Sequence, residues 1–111
     1  MSEAALSDPI LARIKSELEA LYGARLKRVL LYGSRARGDH HEDSDYDILV
    51  VLEGPLDRWP DKKLPTLSNK ILWETIGEGK PVDVSFKAMT EEQTRERTGF
   101  MHNVRQDAIE L

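Results

Sequence analysis

Three aspartates and one glycine–serine pair are the residues of this chain whose types and spacing could do chemistry. Asp45 and Asp47 flank Tyr46. On a strand, residues i and i+2 share a face, so the two carboxylates project side by side with Tyr46 opposite. Like charges placed so repel one another unless a cation lies between them. Magnesium is the expected cation, because it takes oxygen ligands and commonly bridges carboxylates to substrate phosphates. Gly33-Ser34 follows an apolar run, Val29 to Tyr32. Glycine lets the backbone approach a ligand closely, and a helix beginning at Ser34 offers N–H groups to a phosphate. The Ser34 hydroxyl adds a hydrogen bond, and Arg35 and Arg37 add charge nearby. Asp83 lies between Val82 and Val84. In a two-metal scheme such a third acid helps hold a second ion or accepts the proton of an attacking hydroxyl.

The elements that must position these groups are legible in outline. Ser7-Asp8-Pro9 signals a helix start, a capping side chain before a first-turn proline. Ile10, Ile14, Leu18 and Leu21 recur on one helical face, and Gly23 is the expected C-cap, so a helix is predicted over Pro9 to Tyr22. Arg28 to Tyr32 reads as a buried strand ended by Gly33, with a short helix over Ser34 to Arg37 before Gly38. Asp39 to Ser44 is a polar loop, Asp45 to Leu52 a second strand, and Gly54-Pro55 a break. Leu64, Leu67 and Ile71 predict a helix reaching about Ile76, with Pro65 either opening it or kinking it. Gly77-Glu78-Gly79 is a turn, and Val82, Val84 and Phe86 alternate with Asp83 and Ser85 as a third strand. Thr90-Glu91-Glu92-Gln93 has capping-box form and begins another helix. Gly99 divides it from a last helix whose apolar contacts are Phe100, Val104 and Ile109. The order predicts a single α/β (α+β) domain over residues 1–111, with helices packed on a mixed sheet of three to four strands.

Composition narrows the class. The 111 residues are 40% hydrophobic and 32% charged, a globular balance. With 16 basic and 20 acidic residues the formal charge is -4, which argues against direct nucleic-acid binding across a broad basic surface. The chain has no cysteine, so disulfides and thiolate zinc sites are excluded. Met1 to Pro9 lacks the basic-then-apolar pattern of a signal peptide, and the apolar runs are strand-sized. A cytoplasmic protein without a membrane span is expected.

Gly33-Ser34, ten intervening residues and Asp45-Tyr46-Asp47 resemble the signature of the nucleotidyltransferase superfamily related to DNA polymerase beta. The small size resembles its minimal nucleotidyltransferase branch. The resemblance is specific over Val29 to Leu52 and extends in outline along the chain; Gly99 to Leu111 also looks like the end of small members. Members of that branch are often antitoxins paired with a HEPN-domain toxin, and some transfer AMP from ATP to a toxin tyrosine. The resemblance therefore implies a polymerase-beta-like fold, triphosphate contacts from Gly33 and Ser34, and magnesium, as two ions, on Asp45 and Asp47. Asp83 stands where active members carry the third acid, as a metal-binding and catalytic residue. ATP as donor and a hetero-oligomer with a HEPN toxin are the implied substrate and partner.

Blander readings stand beside these. Alone, a glycine–serine pair is most often a turn and an Asp-x-Asp pair a solvated strand end. The two at this spacing between apolar strands favour a site. Arg35 and Arg37 could be solvated helix charges, and Asp83 an exposed strand residue. Adjacent His40 and His41, with Glu42 and Asp43, read as a solvated acidic loop rather than a metal site. Trp59 and Trp73 read as packing residues or a partner surface rather than a base-stacking platform. Two alternative functions stay open: a weak or inactive antitoxin that neutralises its toxin by binding alone, and a small-molecule, antibiotic-type nucleotidyltransferase subunit.

Overall fold

The computed structural model describes residues 8–41, 44–54, 56 and 62–111. Its centre is β2, Tyr46–Leu52, in which every residue but Asp47 is buried. A continuous apolar run of this kind belongs to a strand covered on both faces. β1, Leu26–Tyr32, lies antiparallel beside it, with Tyr32 opposite Asp47 and an irregularity between Leu26 and Arg28. β3, Val84–Thr90, lies on the other side, parallel to β2, with Val84 opposite Tyr46. A two-residue strand β4, Ile109–Glu110, pairs antiparallel with β1. The sheet order is β3-β2-β1-β4, so it is four-stranded and mixed.

Helices cover the two faces unequally. The helix α1, Pro9–Tyr22, starts where the Asp8 carboxylate accepts the Ile10 N–H at 2.9 Å, with Pro9 in the first turn. It ends at Gly23, which opens a single 3-10 turn, Gly23–Arg25. α2 is one turn, Ser34–Arg37. α3, Lys63–Gly77, contains Pro65 in its first turn, where a missing N–H breaks no helical bond, and it continues without interruption. α4, Glu91–Thr94, is one turn held by the reciprocal Thr90–Gln93 capping box. α5, Gly99–Asp107, starts where the Thr98 hydroxyl accepts the Met101 N–H at 3.0 Å. One face of the sheet, with Val29, Leu31, Tyr46, Ile48, Val50 and Leu52, packs against Leu11, Ile14 and Leu18 of α1 and Leu64, Leu67 and Ile71 of α3. The other, with Leu30, Leu49 and Val51, is covered by Met101 and Val104 of α5. Among the described residues no helix is long and apolar enough to cross a membrane.

Three expectations shift. The third strand begins at Val84, not Val82, because the Val82 N–H is taken by the Thr75 hydroxyl at 2.8 Å instead of a strand neighbour. It also runs on to Thr90, as the alternation continues through Ala88. Ile109 belongs to β4 rather than to the last helix: Ala108 turns extended, φ -68 and ψ 145, and carries the chain back to the sheet edge. The buried stripe of α1 is Leu11, Ile14, Leu18 and Tyr22, which leaves Ile10 and Leu21 at its margins. The capping role of Ser7, the loop residues Glu42 and Asp43, Pro55 and Trp59 lie outside the described residues.

The two large side chains Ile71 and Trp73 share α3 but not its environment, being 0% and 72% exposed. Removing the first leaves a cavity; removing the second does not. Ile71→Ala is expected to lower the unfolding free energy by about 2–5 kcal/mol, and Trp73→Ala by no more than about 0.5 kcal/mol, in urea titrations of the isolated chain.

Candidate active site

The glycine–serine turn and the acid pair are brought into contact by strand register. Tyr32 is opposite Asp47, so the turn that follows β1 stands directly over the Asp47 side chain. Gly33 has φ 75 and ψ -157, a conformation that disfavours any residue with a Cβ. Space excludes one too: a Cβ on Gly33 would lie 2.4 Å from Asp47 Oδ2 and 3.2 Å from its Cγ. Glycine here serves both the backbone angle and the close approach of a carboxylate. The chain then winds into α2, with the Ala36 and Arg37 N–H groups bonded to the Gly33 carbonyl at 3.1 Å each. It leaves through Gly38 at φ 85, a left-handed C-cap.

Charge in the site is unbalanced toward the negative. The Asp47 carboxyl is pushed above its ordinary range, chiefly by burial and next by the neighbouring charge of Asp45; Arg37 acts against both. The Tyr32 hydroxyl is raised as well, by burial first and then by Asp47. Two hard oxygen groups held against each other's charge form a donor set that suits a divalent cation. Among the described residues no three His, Cys, Asp or Glu side chains group closely enough to hold a metal by themselves. Asp45 and Asp47 are the carboxylates that stand closest in charge here, and Asp83 lies beside Asp45, one step before the β2–β3 register.

The two arginines of the turn part company. Arg37 lies on the acid side: its Nε donates to Asp39 Oδ2 at 3.2 Å, its Nη1 is 3.9 Å from Asp107 Oδ2, and its charge is felt at Asp47. Arg35 goes to the opposite face, where it stacks at 4.0 Å over the Tyr46 ring and donates from Nε to the Ser44 carbonyl at 2.9 Å. Tyr46 in turn donates its hydroxyl to Asp8 Oδ2 at 2.8 Å. Burial, the bond to Asp8 and the Asp8 charge push the Tyr46 hydroxyl up to about 12, with Arg35 opposing. Arg35 thus ties the turn to the start of β2 from behind the carboxylates. His40 and His41 are exposed, as expected of solvated residues. The His41 N–H donates to Ser44 Oγ at 3.1 Å and the Ser44 N–H returns to the His41 carbonyl at 3.0 Å, which closes the loop just before Asp45.

Asp83 is held by its backbone and leaves its side chain exposed. The Tyr46 N–H donates to the Asp83 carbonyl at 3.0 Å, so Asp83 lies one step before the β2–β3 register, beside Asp45. The flanking residues are pinned by α3: the Val82 N–H by Thr75 Oγ1 at 2.8 Å, and the Val84 carbonyl by Ser68 Oγ at 2.6 Å. Sequence reasoning missed both clamps. The available signal was Thr75 itself, a hydroxyl at the next helical step of the stripe Leu64, Leu67, Ile71 and only 1% exposed. Also missed was a cleft of about 160 Å³ between the turn and α5, lined by Tyr32, Gly33, Arg37, Phe100, Asn103, Val104 and Asp107.

Two outcomes follow. Folded Asp47 keeps its proton to higher pH than an unfolded aspartate, whose ordinary value is 3.8. Its contribution to stability is therefore complete below 3.8 and is lost as pH rises through the raised folded value. In chelator at pH 7, Asp47→Asn should melt at or above the wild-type temperature, and the gap should close in acid; a lower melting temperature for the variant at pH 7 contradicts the strain. Thr75→Val keeps the shape but leaves the half-buried Val82 N–H without its acceptor, and chemical denaturation should show a loss of about 1 kcal/mol.

A sequence profile described as nucleotidyltransferase domain matches residues 11–109. A protein of Methanocaldococcus jannaschii, named as a proposed protein adenylyltransferase, is 36% identical over 61 residues, 55% of this chain and 52% of the relative. The chain thus spans about half the length of that relative. Among solved structures, a toxin–antitoxin with AMP-PNP superimposes with a TM-score of 0.61 at 21% identity, covering 89% of this chain and 69% of the other. A mutant of the toxin–antitoxin MntA–HpeT superimposes with a TM-score of 0.62 at 19% identity, with the same coverage. These structures share the fold, four-stranded mixed sheet and helices together. With the profile spanning nearly the whole chain, and its glycine–serine turn and acid pair in contact, the protein belongs to the nucleotidyltransferase domain family.

Proposed function

We propose that this chain is a magnesium-dependent nucleotidyltransferase that moves AMP from ATP onto a hydroxyl of a partner protein, a tyrosine of a HEPN-domain toxin, and acts thereby as its antitoxin. The observation that carries the reading is the contact of Gly33 with the Asp47 carboxylate, with Asp45 beside it. It puts a turn suited to phosphate and a pair suited to a cation within one ligand's reach. The relative named for protein adenylyl transfer and the AMP-PNP-bound toxin–antitoxin of similar fold support the substrate and the partner class.

The residues divide the work as follows. Asp45 and Asp47 would hold magnesium through their carboxylate oxygens. Bound there, the ion neutralises charge on the triphosphate. The Ser34 hydroxyl and the backbone of the turn hold the phosphate tail, and Arg37 adds positive charge at its flank. The acceptor oxygen attacks the α-phosphorus in line; the bond from that phosphorus to the bridging oxygen breaks and pyrophosphate leaves. Asp83 receives the acceptor proton. Its exposure, with that of Asp45, suits an acceptor carried on another protein rather than a small molecule in an enclosed pocket.

The test uses labelled ATP, magnesium and the protein encoded beside this one. Label should appear on a tyrosine of that partner, and Asp45→Asn or Asp83→Asn should reduce transfer at least about 100-fold. A partner neutralised equally well by Asp45→Asn, with no label transferred, would establish binding alone as the mode of action. Label on an aminoglycoside instead of a protein would establish the small-molecule reading.

A further inference from the structure

β3 is the outermost strand on one side of the sheet, and its outer edge begins next to Asp83. Three bonds fix the direction of the backbone groups along it. The Asp83 carbonyl accepts from the Tyr46 N–H at 3.0 Å and so points to β2. The Val84 carbonyl accepts from Ser68 Oγ at 2.6 Å, and the Thr90 N–H donates to Gln93 Oε1 at 2.9 Å, so these two point outward. In a parallel ladder successive residues turn to opposite sides, which directs the N–H and C=O of Phe86 and Ala88 outward as well. Among the described residues no strand pairs with them. The edge is thus closed at both ends by side chains and open over the two residues between.

Exposed edges are usually guarded, often by a lysine. The lysine of β3 serves elsewhere: Lys87 Nζ lies 4.2 Å over the Phe100 ring, against α5. The flank of the edge toward Asp83 is apolar. Ser68, Leu72 and Ile76 follow at four-residue intervals, so they share one side of α3, the side that meets β3 through the Ser68 bond. The other side faces α1, where Glu74 pairs with Arg13 and Lys70 with Glu17. Ile76 is 45% exposed and stands at the Asp83 end, next to the Thr75 that binds the Val82 N–H. Open amides, an uncovered apolar side chain and an exposed acid therefore lie along one line. An extended chain satisfies all three, because it brings backbone partners and alternating side chains together. A helix has no free backbone groups to offer the edge.

We propose that this edge docks the acceptor protein: an extended segment of the partner adds to β3 opposite Phe86 and Ala88, passes Ile76 and presents its hydroxyl at Asp83. A strand advances about 3.3 Å per residue, so Asp83 lies about 10 Å along the edge from Phe86. The reacting tyrosine then follows the paired residues by about three positions, with an apolar residue between to cover Ile76. This rests on the adenylyl-transfer reading of the Gly33–Asp47 site, to which it adds the form of the acceptor.

The experiment combines amide hydrogen exchange with transfer from labelled ATP, using the protein encoded beside this one. Exchange is followed in this chain alone and in the complex, and transfer in the wild type, Ala88→Pro and Ile76→Lys. Ala88→Pro removes an outward N–H and spares the β2 ladder, and Ile76→Lys changes an exposed side chain. In the complex the Phe86 and Ala88 amides should exchange at least about tenfold more slowly. Both variants should raise KM for the partner at least about tenfold, with kcat and ATP binding within about twofold of the wild type. Should Ala88→Pro fail to fold, Ile76→Lys and the exchange data decide. Label transferred while the edge amides stay unprotected overturns the inference and leaves adenylyl transfer standing. Protection of the edge in the chain alone, growing with its concentration, also overturns it, because a second copy then occupies the edge. A wild-type chain that transfers no label to the partner overturns the adenylyl-transfer reading itself.

Discussion

The arrangement depends on one van der Waals contact, the Asp47 carboxylate against the bare Cα of Gly33. There is no room for a methyl group between them, since a Cβ would lie 2.4 Å from the nearer oxygen. Everything that positions the site serves that contact. The β1–β2 register sets Tyr32 opposite Asp47, the left-handed Gly33 lifts the chain off the sheet, and the one-turn helix after it re-aims Ser34 and Arg37. Because pairing has a period of two, a slip of one residue would turn Asp47 into the core and Tyr46 out of it. The buried residues Ile48, Val50 and Leu52 on one face and Leu49 and Val51 on the other hold the register against such a slip.

The sheet assigns different duties to its faces. Tyr46, Ile48 and Val50 build the larger cluster beneath α1 and α3. Asp47 shares its face with Leu49 and Val51, under the shorter α5. The deeper layer still reaches the site, through the side chains that cross the sheet edge. Asp8 binds the Tyr46 hydroxyl, Arg35 stacks on the same ring, and Ser68 and Thr75 grip the backbone on either side of Asp83. The acids are thus steered from the face they do not occupy.

How much of this could be read from residue order depends on whether the cause was local. The α1 limits, the one-turn α2 and the Thr90–Gln93 box are set by nearest neighbours, and the sequence reading of each agrees with the structure. Strand alternation made the side-by-side acids of Asp45-x-Asp47 legible, and their pairing with Gly33-Ser34 was legible through the spacing that resembles the nucleotidyltransferase signature. The start of β3 was not, because it is decided by a hydroxyl seven residues earlier that takes the Val82 N–H. The division between Arg35 and Arg37 was equally hidden. Two arginines on a single helical turn look alike in sequence, and only the packed Tyr46 ring distinguishes them. The cleft joins residues from β1 and α5, and β4 joins Ile109 to the far side of the sheet; both needed the tertiary fold.

Tyr46 gives the acid pair a thermodynamic character of its own. It stands between the two aspartates, is 6% exposed, and is anchored at its hydroxyl and across its ring. The backbone that carries Asp45 and Asp47 therefore gave up its conformational entropy when the core formed. A ligand arriving at these carboxylates does not have to order them, and the free energy of its contacts is not offset by that loss.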